Sequence, residues 1–287
     1  MKKTPAFLML AAAAGAFGFN WPQADIVQSD AFYSYFGQRR GNTISSSLIF
    51  SEPSEIKAAE AGQTAVIIRE YDEDTAFFPS ALGNAVILSH SDTILTVYAN
   101  IDSETIAKNA DEIEMVAAGT ALGMSGNSAW QQGRSSLEFQ VIDCANNTAI
   151  NPRIMMPRIG KELPLFSSGI QVMNRYGKLI ETARNTSVPA GIYRVYQKRQ
   201  SAAVPYKTML TVNGTLLDSI SYDVLRQDGT ELCVSGRKNY PPAVLYPTDS
   251  LILVGELSVS PGYNTVMITL ADILGAEAET SFTLNAY

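Results

Sequence analysis

The stretch GNAVILSHSDTILTVYANI, residues 83–101, decides the fold class of this chain. It holds two apolar runs, AVIL and ILTVYA, separated by the polar segment SHSDT. Short runs rich in Val, Ile, Leu and Tyr that are bounded by turn residues are typical of β-strands. The stretch therefore predicts two neighbouring strands of an antiparallel β domain.

Runs of the same kind recur on both sides of this stretch. TAVIIREY (residues 64–71) precedes it, and SLEFQVID (residues 136–143) follows it. Beyond the proline-containing segment Pro152–Pro164, further strand-length runs alternate with turns, which is the spacing of a β-sandwich. We predict a mostly β chain, with an antiparallel β domain at residues 19–157 and a β-sandwich at residues 158–287.

Composition limits the classes of function. The chain has 287 residues, of which 46% are hydrophobic and 17% are charged, so it can bury a substantial core. Its formal net charge is −7, and no Lys/Arg-rich face offsets the acidic excess. A phosphate backbone needs such a face, so nucleic acid is excluded as an expected partner.

The N-terminal segment has the pattern of a cleaved secretory signal. Lys2 and Lys3 precede an apolar run at residues 6–16 that is short for a membrane span, and small residues follow. We expect residues 1–18 to be removed; the alternative is that the segment stays as an uncleaved N-terminal anchor. The mature chain is then an exported protein without a membrane span, in the periplasm or at the cell exterior.

The chain has two cysteines, Cys144 and Cys233, one in each predicted domain. In an exported protein they could form a disulfide, or each could be a small buried apolar group. The sequence leaves both alternatives open. Two thiols alone supply too few ligands for a zinc site.

Several short motifs together carry a resemblance to a known family. In chain order they are FGQRRG, EIKAAEAGQTAVI, GNAVILSHSDTILTVYANI, VAAGTALGMSGNS, SSLEFQVI and a final NP. In this order they resemble the lysostaphin/LytM-type zinc metallopeptidase domain, over residues from about 36 to 157. The resemblance implies a domain descended from enzymes that cut the peptide cross-links of peptidoglycan.

The resemblance also implies that the metal site has been lost. The family holds zinc with a His and an Asp of an H-x-x-x-D motif and with the second His of an H-x-H motif, and further histidines transfer protons. Here the first motif reads SSSLI, which places Ser45 and Ile49 at the ligand positions. Asn100 stands at a catalytic histidine position, and H-x-H reads SLE, with Ser136 and Glu138. Only Glu138 could bind a metal, so we expect no cofactor and no peptidase activity.

Three classes of function remain open. The first is a catalytically inactive peptidase homologue that regulates or scaffolds a true cell-wall hydrolase. The second is a non-catalytic module that binds peptidoglycan or a surface polymer. The third is an active hydrolase with an unfamiliar site built from Glu138, Ser136 and the chain's single histidine, His90. His90 is otherwise expected to be an ordinary strand-end histidine.

The five positions Ser45, Ile49, Asn100, Ser136 and Glu138 are the binding candidates and are called the vestigial site below. They either line an open groove that contacts a partner or fill a closed core.

The C-terminal part resembles the immunoglobulin-like modules of exported bacterial proteins, through AGIYRVY, VNGTLLDSISYDV and the Pro-Gly turn that precedes a long apolar strand. This resemblance implies a fold and no particular activity.

Overall fold

The computed structural model describes residues 18–23, 31–70, 80–90, 93–106, 115–128, 136–158, 160–182, 186–200 and 203–287. The predicted signal segment, apart from Gly18, lies outside these ranges. The described residues are mostly in β-strands, as predicted, and they also form two short helices. None of their helices is long and apolar enough to span a membrane.

The strands of the N-terminal part are β1 (Phe32–Ser34), β2 (Arg39–Arg40), β3 (Thr43–Ile44), β4 (Leu48–Phe50), β5 (Glu55–Lys57), β6 (Gly62–Ile68), β7 (Ala85–His90), β8 (Ile94–Ala99), β9 (Met115–Val116), β10 (Ala121–Met124), β11 (Glu138–Asp143) and β12 (Thr148–Ile150), followed by helix α1 (Pro152–Met155). The C-terminal part contains β13 (Gln171–Asn174), β14 (Leu179–Glu181), β15 (Thr186–Val188), β16 (Gly191–Lys198), β17 (Lys207–Val212), β18 (Thr215–Asp228), β19 (Glu231–Ser235), β20 (Asn239–Tyr240), helix α2 (Pro242–Leu245), β21 (Leu251–Val259), β22 (Gly262–Ala271) and β23 (Glu277–Ala286).

The stretch at residues 83–101 forms the antiparallel pair β7–β8, which confirms the prediction for it. Its register runs from Ala85 opposite Ala99 to His90 opposite Ile94. Side chains alternate between the two faces of a strand. Val86, Leu88 and Tyr98 accordingly enter the main N-terminal core, whereas Val97 and Ala99 pack on the other face of the sheet.

The C-terminal part is built from two sheets that pack face to face. One has the order β14-β13-β16-β21, and the other contains β15-β23-β22-β17-β18. Apolar side chains of both sheets share one core, for example Val195 and Leu257 from the first sheet and Leu210 and Ile268 from the second. This arrangement is a β-sandwich, and its immunoglobulin-like assignment stays a prediction.

The two parts of the chain are joined by a continuous sheet. β12 pairs antiparallel with the long strand β18, from Thr148 opposite Arg226 to Ile150 opposite Val224. Phe36 and Ile44 of the N-terminal part also lie in one core cluster with tyrosines of the C-terminal part. The boundary between residues 157 and 158 stays a prediction, and the structure shows that the parts on either side share both hydrogen bonds and core.

Candidate functional site

Strands β4, β8 and β11 bring the vestigial site together. Ile49 of β4 lies opposite Glu138 of β11, and Glu138 also lies opposite Ala99, the last residue of β8. Asn100 directly follows β8, and Ser136 lies just before β11. All members of the vestigial site are at most 2% exposed, so their side chains lie inside the protein.

Asn100 organises the backbone around it. Its φ of 62° is in the left-handed region, which Asn tolerates better than most residues. Its Nδ2 donates to the carbonyl oxygen of Ser136 at 2.7 Å, and its Oδ1 accepts from the backbone N–H and the hydroxyl of Ser128 at 2.7 and 3.0 Å. The amide therefore holds the loop before β11 and the loop after β10 against the end of β8.

The two serines of the site differ in their hydrogen bonding. The Ser45 hydroxyl lies 3.1 Å from the Ser47 hydroxyl and 3.3 Å from the Ser47 carbonyl oxygen. The Ser136 hydroxyl is buried and has no hydrogen-bond partner among the described residues. Within the part of the chain that the structure describes, neither serine is hydrogen-bonded to a general base that would activate it as a nucleophile.

Glu138 carries the one carboxylate of the vestigial site, and it is already paired. Arg40 of the β2–β3 hairpin donates from Nη1 to Glu138 Oε1 at 2.6 Å. Gln140 Nε2 lies 3.4 Å from the same oxygen. The Glu138 side chain is fully buried, whereas that of Arg40 is 31% exposed.

The donor set of the site does not fit zinc. Ile49 offers no lone pair, the Ser45 hydroxyl is occupied by Ser47, and the Glu138 carboxylate faces a guanidinium. Among the residues that the structure describes, no three His, Cys, Asp or Glu side chains are grouped closely enough to hold a metal ion.

His90 lies far from the vestigial site and has local partners. Its Nδ1 lies 2.8 Å from the Ala61 carbonyl oxygen, which can only accept, so Nδ1 carries the proton. Its Nε2 lies 2.6 Å from the Thr96 hydroxyl. His90 is paired at the opposite end of β8 from Ala99, about 17 Å along the strand at the usual rise. The structure does not bring it together with Ser136 and Glu138.

Tyr98, the tyrosine of the YANI motif, belongs to the core behind the site. Its phenolic oxygen accepts from the backbone N–H of Ala59 at 2.7 Å, and its ring packs on that of Phe139 at 5.1 Å. Burial raises the pKa of Tyr98 to about 12. The side chain is therefore neutral at physiological pH and has a structural role.

An open cleft lies on the face of β11 that carries Gln140 and Ile142, and it could not be predicted from the sequence. It has a volume of about 240 Å³ and lies between β11, β12 and the β18–β19 hairpin. Its walls include Ser46, Gln140 and Asn147 from the N-terminal part, and Gln227 and Leu232 from the C-terminal part. This set could not be found from sequence because it depends on the pairing of β12 with β18.

Both cysteines are free. Cys144 is exposed at the edge of the cleft, and Cys233 is buried in β19. Burial raises the pKa of the Cys233 thiol.

Comparison with known proteins places the N-terminal part in a family. The family model described as Peptidase family M23 matches residues 46–152, and a second family model, which has no description, matches residues 164–287. An uncharacterised protein of Treponema pallidum (strain Nichols) is 33% identical over 121 residues, which is 38% of this chain and 77% of that protein.

Solved structures are also similar to the chain. The catalytic domain of a prophage-encoded M23 protein from Enterococcus faecalis is 20% identical with a TM-score of 0.36, over 48% of this chain and 96% of that one. A zinc-containing peptidase from Vibrio cholerae is 18% identical with a TM-score of 0.36, over 50% of this chain and 41% of that one.

Proposed function

Because residues 46–152 form a domain of peptidase family M23, we propose that the chain is a non-catalytic protein that regulates or scaffolds a cell-wall hydrolase in the cell envelope. The observation that carries this proposal is the chemistry at the former ligand positions. A serine and an isoleucine stand where two ligands are needed, and the remaining carboxylate is bound to an arginine.

Burial of the site supports a role other than turnover. A hydrolytic metal site needs an open coordination position that a water and a substrate can reach. Here the side chains at the three former ligand positions, Ser45, Ile49 and Glu138, are at most 2% exposed, and the two polar ones are paired with Ser47 and Arg40. The site is therefore a buried junction between β4, β8 and β11.

The open cleft supports contact with another molecule. Gln140, Asn147 and Gln227 offer amide donors and acceptors, and Leu232 adds an apolar wall. A mixed polar and apolar concave surface of this kind suits a polypeptide partner. Export, inferred from the N-terminal segment, would bring this surface into the compartment where cell-wall hydrolases act.

Catalysis is tested directly on the purified mature chain. We expect no stoichiometric zinc after dialysis against a weak chelator and no soluble muropeptides released from purified peptidoglycan. One zinc per chain together with muropeptide release would overturn the proposal.

The partner is tested by recovery from solubilised cell envelope. We expect the wild-type chain to retain a hydrolase or a protein bound to one, and the Gln140→Arg/Gln227→Arg variant to lose it. Thr265→Arg, an exposed change on β22 outside the cleft, is the matched control and should recover the partner normally. Recovery of muropeptides without any protein would favour the polymer-binding class instead.

A further inference from the structure

The pairing of Arg40 with Glu138 joins two elements that are far apart in sequence. Arg40 belongs to the two-stranded β2–β3 hairpin, which is separate from the large sheet, and Glu138 begins β11 in that sheet. The guanidinium therefore comes from outside the sheet and reaches the carboxylate where Ile49 and Ala99 flank it.

A fully buried carboxylate needs a compensating positive charge. In an M23 metal site that charge would come from the ion, and Glu138 occupies one of the ligand positions by the motif alignment. At 2.6 Å, the Arg40 nitrogen is within charge-assisted hydrogen-bond distance of Glu138 Oε1. A metal ion bound to the same oxygen would be repelled by the Arg40 guanidinium, because both are positively charged.

We infer that Arg40 is the resident cation of the vestigial site, a protein-borne guanidinium that has taken the place of the metal and holds the β2–β3 hairpin on the sheet. Removing its side chain leaves a pocket that accepts a free guanidinium ion. The inference rests on the geometry of this pair and not on the partner proposed above.

The neighbouring residue supplies a matched control. Arg39 lies in the same strand and forms an ion pair with Asp249, whose side chain is 92% exposed. Exposed pairs contribute little to stability, whereas breaking a buried pair leaves an uncompensated charge. The two arginines thus differ in the environment of their partners and share their local backbone.

The first test compares Arg40→Ala with Arg39→Ala by thermal unfolding. We expect the midpoint to fall by about 10 °C for Arg40→Ala and by less than about 3 °C for Arg39→Ala. Low millimolar guanidinium chloride should restore several degrees to Arg40→Ala, relative to sodium chloride at equal ionic strength. The Arg39→Ala variant and the wild type should not respond.

The inference would be overturned if Arg40→Ala and Arg39→Ala lowered the unfolding midpoint equally, or if guanidinium chloride and sodium chloride changed the midpoint of Arg40→Ala equally. If Arg40→Ala does not fold, the Arg40→Met/Glu138→Gln variant decides, because it removes both charges. Recovery of most of the wild-type midpoint supports the inference, and a double variant that also fails to fold contradicts it. Peptidoglycan cleavage by the wild type would overturn the proposed function and leave these stability results unaffected.

Discussion

Gly37 offers the sharpest test of how the C-terminal part holds the β2–β3 hairpin. Its φ of +85° lies in the left-handed region, and a Cβ there would lie 2.6 Å from Cδ1 of Tyr222. Tyr222 is 1% exposed and packs in the core shared by the two parts, so its ring cannot move aside without disturbing that core. We therefore expect Gly37→Ala to be strongly destabilising.

The magnitude follows from two contributions. A left-handed backbone costs a non-glycine residue about 1–2 kcal/mol, and forcing an extra methyl group into a packed core costs about 1–3 kcal/mol. Gly37→Ala should thus lower the free energy of unfolding by about 2–5 kcal/mol. Gly41, in the same hairpin, has a φ of +60°, and a methyl group added there would meet no described atom within 4 Å beyond its chain neighbours. Gly41→Ala therefore carries only the backbone contribution.

Urea unfolding followed by far-UV circular dichroism measures both variants. The difference between them isolates the contact with Tyr222 and should be at least about 1 kcal/mol. Equal decreases in the free energy of unfolding for Gly37→Ala and Gly41→Ala would show that Gly37 is not packed against Tyr222 of the C-terminal part.

Four further predictions concern the buried groups and the joint. Ile49→Asp should cost at least about 3 kcal/mol because it buries an unpaired charge, whereas Ile49→Val should cost about 1 kcal/mol; similar urea midpoints for the two variants would contradict a closed site. Burial raises the pKa of Tyr98 to about 12 in the folded protein, so the stability linked to the neutral phenol is complete below about pH 10 and is lost as the pH rises towards 12. Tyr98→Phe should therefore reduce the fall in the free energy of unfolding between about pH 10 and 12. An unchanged fall would contradict the burial of the phenol. A thiol reagent should titrate Cys144 in the native protein and Cys233 only after unfolding, and two fast thiols in the native state would refute the burial of β19. Residues 158–287 expressed alone should unfold cooperatively at a lower temperature than the whole chain, since Phe36 and its neighbours no longer complete the shared core. An unchanged unfolding midpoint would show that the contacts between the two parts do not stabilise the C-terminal part.

Local patterns in the sequence predict the strand-rich fold well. The alternating apolar runs of residues 83–101 correspond to β7 and β8, and the SLEFQVID run contains β11. The order of the motifs is enough to identify the M23 domain, which the family comparison confirms. These signals are readable because strand periodicity and turn residues are local properties of the chain.

Long-range pairing could not be predicted in the same way. Arg40 and Glu138 are 98 residues apart, and neither position has a local signal that selects the other. The burial of Asn100 and Glu138 was equally out of reach, because such polar residues are usually exposed unless tertiary partners satisfy them. The choice between an open groove and a closed core therefore depended on hydrogen bonds and ion pairs that form only in the folded protein.

The opposite directions of the two arginines of β2 limit how the length of this segment can change during evolution. Consecutive residues of a strand point to opposite sides, so Arg40 reaches the vestigial site while Arg39 reaches Asp249 of the C-terminal part. Gain or loss of one residue between Gly37 and Arg39 would exchange their directions and break both ion pairs in a single step. A substitution of one arginine breaks one of the two ion pairs, whereas such a change in length breaks both, so insertions and deletions here should be selected against.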